Sequence, residues 1–142
     1  MYRIFDDYLP IVHVGDWKNL VSKFNNIAGY TFLGDLILFN SETEQFALLF
    51  TINPELVPLD FFDIDDFTEG YLEHEKVKKH VLQFDKVQQI KARLGDLDTD
   101  QVYIAEPYQF LGGDGSVDSY LKGNLWVYLD IIGGMQGVSN LA

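Results

Sequence analysis

The order of apolar and polar positions divides the chain into segments of two different periods. Between Gly15 and Phe24, the residues Trp17, Leu20, Val21 and Phe24 recur at helical spacing, and Asp16 stands where an N-cap belongs. Two strand-like runs follow, Tyr30 to Phe39 and Phe46 to Ile52. Asn40-Ser41-Glu42-Thr43-Glu44 separates them, which predicts a hairpin with a loop of about five residues. Asp35 interrupts the first run directly after Gly34, so a bend or bulge is expected there. Leu56 to Leu59 reads as a short strand. Pro54 and Pro58 place it at a sheet edge, because proline cannot donate to a ladder.

The period then changes. Ile64, Phe67, Tyr71 and Leu72 predict a helix, with Asp63 able to cap it and further carboxylates in its first turn to suit the helix dipole. Val77, Val81 and Phe84 read as a separate short helix, and Val87, Ile90 and Leu94 as another, stopped by Gly95. Asp96 to Asp100 is a polar turn, Val102 to Ala105 a strand ended by Pro107, and Leu111 to Ser116 a glycine-rich flexible loop. Leu125 to Met135 is apolar enough to be buried, and periodicity alone leaves helix and strand both open. Strands come first, then helices, then a returning strand. That order predicts an α+β fold, a meander-like antiparallel sheet packed by helices, in a single domain over residues 1–142.

Composition narrows the functional classes. The 142 residues carry 22 acidic and 10 basic side chains, a formal charge of −12, which disfavours direct contact with nucleic acid or an anionic membrane. The same field steers basic proteins toward the chain, although acidity also serves solubility. With no cysteine there is no disulfide, thiolate metal site or cysteine nucleophile. The N-terminus, Met1 to Asp7, lacks a long apolar core and does not read as a signal peptide, so a cytoplasmic location is expected. Aromatic residues make up 15%, assigned mainly to the core. Charge is uneven: six of the ten basic residues fall between Lys76 and Arg93, directly after an acidic stretch with no lysine or arginine.

Candidate chemistry fails at its essential positions. His74-Glu75 begins like a zinc helix, but the second ligand position holds Lys78. Asp96, Asp98 and Asp100 have the first spacings of a calcium loop, yet Gln101 stands where glycine is needed and Pro107 where the bidentate glutamate is needed. Gly112-Gly113-Asp114-Gly115 lacks the lysine and hydroxyl of a phosphate loop. No metal, cofactor or catalytic residue is assigned. Asp35, Glu106 and Asp114 are acids without an accompanying base, nucleophile or metal set. The densest feature is the acidic cluster Asp60, Asp63, Asp65, Asp66 and Glu69. It reads either as a solvated helix face or as a docking face for a basic protein, with Phe67 and Tyr71 as aromatic anchors.

Three segments carry a resemblance. Tyr30-Thr31-Phe32-Leu33-Gly34-Asp35-Leu36, the run from Tyr103 through Pro107 to Leu111-Gly112-Gly113, and the apolar close from Leu129 to Gly137 resemble the C-terminal domain of type VI secretion immunity proteins that neutralise a DNase effector. The resemblance covers about residues 29–137 and extends more distantly to SUKH-like immunity proteins. It implies an α+β fold and a non-enzymatic protein that binds and neutralises a cognate toxin. Gly34, Asp35, Pro107, Leu111, Gly112 and Gly113 are then structural family positions. Joined to the charge, the resemblance points to a basic, nuclease-type toxin and to Asp63, Asp65, Asp66 and Glu69 as its contacts. A small-ligand module with a pocket near Leu111–Gly115 is the alternative. Oligomeric state is left open.

Overall fold

The computed structural model describes residues 1–141. Five strands form one antiparallel sheet in chain order: β1 (Tyr2–Pro10), β2 (Asn26–Thr31), β3 (Leu36–Phe39), β4 (Phe46–Phe50) and β5 (Glu55–Pro58). The architecture is therefore the α+β meander that the element order predicts. The hairpin is where the pattern places it, with Leu36 paired to Leu49 and Phe39 to Phe46. β5 is an edge strand, as its prolines require.

The first strand-like run is two strands. At Gly34, whose φ of 94° suits glycine, the chain reverses instead of bending. Tyr30 and Thr31 thus end β2, and Leu36 begins β3 opposite Tyr30. β2 carries its own irregularity between Ile27 and Gly29, where a Cβ on Gly29 would strike the Arg3 carbonyl oxygen. β1 has no counterpart in the sequence reading. Its two acidic residues Asp6 and Asp7 fall in the stretch between Ile4 and Leu9 where pairing to β2 slips, which obscures the period-two pattern.

The segment expected to be a helix from Gly15 is a 3-10 stretch, Ile11–Asn19, broken by a non-helical Gly15 (φ 56°). Pro10 precedes it and Asp16 makes no cap. Of the four residues at the expected spacing, Trp17, Val21 and Phe24 are buried and Leu20 is half-buried against the same core, which Val14 also joins. Helix α1 (Ile64–Phe67) runs into a π-turn at Thr68–Leu72, followed by α2 (Glu75–His80) and α3 (Phe84–Leu94). β6 (Gln101–Ala105) and β7 (Tyr120–Asn124) make a separate antiparallel pair. The undecided apolar segment is helix α4 (Leu125–Gln136), capped by Asn124 through the Trp126 and Val127 amides.

Both faces of the large sheet are covered, which explains why β3 and β4 read as continuous apolar runs and not as alternating ones. One face, with Leu36, Leu38, Ala47 and Leu49, packs on the 3-10 stretch and α4. The Trp17 indole donates to the Leu129 carbonyl at 2.9 Å, joining those two elements. The other face, with Ile37, Phe46 and Leu48, packs on Phe67 and Leu72. α3 lies on the β6–β7 pair through Val87, Ile90, Tyr103 and Tyr120. Among the described residues, no helix is long and apolar enough to cross a membrane.

Candidate functional site

The acidic cluster is assembled by the end of β5 and the first turn of α1. Asp63 is extended and its Oδ1 accepts from the amides of Asp65 (3.0 Å) and Asp66 (3.1 Å), so this residue caps the helix. Capping turns Asp65 and Asp66 outward from the first turn, where the helix dipole favours their charge. Phe67 faces inward and stacks between Phe46 and Tyr71, at 4.7 and 5.6 Å between ring centroids. Glu69 sits one turn on, in the π-turn.

Asp63, Asp65, Asp66 and Glu69 are all exposed. None of them enters either ion pair found among the described residues, Lys78–Glu73 and Lys91–Asp96. Four acidic residues, Asp60, Asp63, Asp66 and Glu69, line an open groove with Phe61, Phe62 and Gly70. The aromatic anchor differs from the sequence expectation. Phe67 is fully buried and Tyr71 half-buried, while Phe62 is 49% exposed within the groove. Nothing in the sequence separates Phe62 from Phe61. Their difference arises from which ring packs under the π-turn beside Phe67 and Tyr71.

The family positions occupy a different region. Gly34 faces α4: a Cβ there would meet the Tyr128 ring at 2.7 Å. Asp35 Oδ1 receives the Thr51 amide at 3.0 Å and lies 3.3 Å from the Thr51 hydroxyl, which ties the β2–β3 turn to the end of β4. Burial holds the Asp35 carboxyl well above its usual range, at about 6, against the lowering effect of those Thr51 bonds. Pro107 follows β6, and a Cβ on Gly113 would strike the Pro107 carbonyl oxygen, so this turn is closed by a backbone contact. Gly112 has a φ of 93°, and Leu111 is exposed.

A cavity of about 230 Å³ opens beside Asp35, between the large sheet and the β6–β7 pair. Tyr108 and Gln109 reach it, but the Leu111–Gly115 loop does not line it. The histidines lie apart: the His13 ring is 5.9 Å from that of Trp126, His74 Nδ1 accepts from the Lys76 amide at the start of α2, and His80 lines the cavity. Among the described residues, no three metal-binding side chains converge.

The family model described as T6SS immunity protein Tdi1, C-terminal, matches residues 62–136, more than half of the chain. No curated protein matches the chain. Among solved structures, one described as Atu4351 from Agrobacterium tumefaciens superposes with a TM-score of 0.66 at 14% identity, covering 92% of this chain. The chain spans 65% of the length of that structure. At that identity the likeness speaks for the fold.

Proposed function

We propose, because this chain belongs to the family of T6SS immunity protein Tdi1 C-terminal domains, that it binds a cognate toxin and blocks it by occupation, without catalysis of its own. The toxin on this reading is a basic, nuclease-type protein, and the docking face is the acidic groove. The observation that carries the face is the exposed Phe62 among Asp60, Asp63, Asp66 and Glu69, carboxylates without an ion-pair partner among the described residues. A nuclease holds phosphates in a basic cleft, and a groove of unpaired carboxylates competes for the same charges. An aromatic ring at the centre of such a groove adds the apolar anchor that interface energetics favour.

The test is the association rate of the chain with its toxin at low and high salt. Asp65→Lys, Asp66→Lys and Glu69→Lys are combined with Asp63→Asn, which removes charge while keeping an oxygen that caps α1. Association at low salt slows by about tenfold or more, and the salt dependence flattens. A combined variant that associates at the parental rate at both salts rejects this face. Phe62→Ala leaves the rate nearly unchanged and speeds dissociation.

A further inference from the structure

We propose that the cavity beside Asp35 is a binding site for a small organic cation, a guanidinium or alkylammonium head group. The Asp35 carboxylate acts as counter-ion, and tyrosine rings form the walls. This site is separate from the acidic groove and stands whether or not the immunity reading holds.

Four elements of the fold converge on it. Asp35 comes from the β2–β3 turn, Tyr103 from β6, Tyr120 from β7 and Tyr128 from α4, with Tyr108 beyond the end of β6. Tyr108 and Tyr128 lie with ring centroids 6.0 Å apart and tilted by 55°. A cation within about 6 Å of such ring faces is attracted by their quadrupoles, and more strongly where water is excluded.

The carboxylate gives the site its sign. Both contacts from Thr51 fall on Oδ1. Asp35 also lines the cavity, and none of the hydrogen bonds among the described residues uses its Oδ2. No lysine or arginine lines the cavity among the described residues, and His80, which also lines it, is exposed. Lys86 Nζ lies 4.9 Å from the centre of the Tyr120 ring, which leaves Tyr103, Tyr108 and Tyr128 as the rings without a cation of the chain's own among the described residues. A buried carboxylate ordinarily has a cationic partner or gives up its charge. Here burial does push the carboxyl up to about 6, with no neighbouring cation opposing it. An incoming cation supplies the missing partner.

Size and polarity select the ligand further. About 230 Å³ is several times the roughly 30 Å³ share of one water, and lies below the usual range for drug-sized ligands. A head group with a short stem fits, and a nucleotide does not. An anion would meet the carboxylate and the π faces, so it is repelled.

The experiment titrates methylguanidinium, ethylammonium and the neutral isostere methylurea into the whole chain, following the Thr51 amide and the tyrosine rings by NMR. Saturable shifts with the two cations and none with methylurea are expected. Asp35→Asn keeps an acceptor for Thr51 and weakens cation binding by at least about tenfold. Ala105→Leu, which fills the cavity without altering Asp35, abolishes the shifts, so the result does not depend on one variant folding. A capped tripeptide with a central arginine distinguishes the source. If it binds, the head group is a side chain presented by a protein; if only the free cations bind, it is a small metabolite, and both results support the site. Equal shifts with methylurea, or shifts unaltered by both substitutions, overturn it.

Discussion

Burial and hydrogen bonding pull the Asp35 carboxyl in opposite directions, and burial prevails. Its folded value, about 6, lies above the ordinary value near 3.8. Between those limits the folded chain keeps a proton that the unfolded chain has released, so stability falls as pH rises from about 4 to about 6 and then levels. Asp35→Asn removes that slope. The gain above pH 6 has a ceiling of about 3 kcal/mol, and it vanishes below pH 4. Urea unfolding at pH 4 and pH 7 measures this; a variant less stable than its parent at pH 7 would show that the bond to Thr51 outweighs desolvation. Gly34→Ala is costly for two local reasons, the positive φ and the Tyr128 ring at 2.7 Å from the added carbon. A loss on the order of 2–3 kcal/mol is expected in the same unfolding assay.

At the scale of elements, caps decide where helices begin. Asp63→Ala removes the acceptor for two amides and destabilises α1 by about 1 kcal/mol, whereas Asp63→Asn is nearly neutral. Thermal unfolding of the two variants separates the capping role of Asp63 from its charge. Asp63 and the edge prolines of β5 were legible because their signals are local: one side-chain oxygen and one missing donor. α4 was not, because its face pattern is hidden by apolar residues on several sides. Val127, Ile131 and Met135 remain exposed while Tyr128, Leu129 and Ile132 are buried. β1 and β7 escaped for another reason. Each is defined by pairing with a strand elsewhere in the chain, and β7 contains Lys122, Gly123 and Asn124, which carry little strand preference of their own. The acidic cluster could be read from composition, but the exposed Phe62 could not. The Asp35 cavity was out of reach altogether, since its walls come from residues spread from Leu33 to Tyr128.

Over the whole molecule, a charge of −12 repels itself, and the described residues offset it with only two exposed ion pairs. Raising salt from about 10 mM to about 150 mM shortens the screening length from about 30 Å to about 8 Å. The melting temperature rises over that interval, as a scan by circular dichroism would register. A flat response would mean that the acidic groups are spaced too widely to couple. If the partner is the basic toxin proposed above, the same screening slows its capture, and stability and association rate then move in opposite directions with salt.

The contact between Trp17 and Leu129 has a temporal consequence. During synthesis, Leu36, Leu38, Ala47 and Leu49 leave the ribosome long before α4 exists to cover them. At about 5–20 residues per second, that greasy surface waits several seconds for its cover. A nascent chain halted at Asn124 therefore remains sticky and open to chaperones, and release of α4 is the event that seals it.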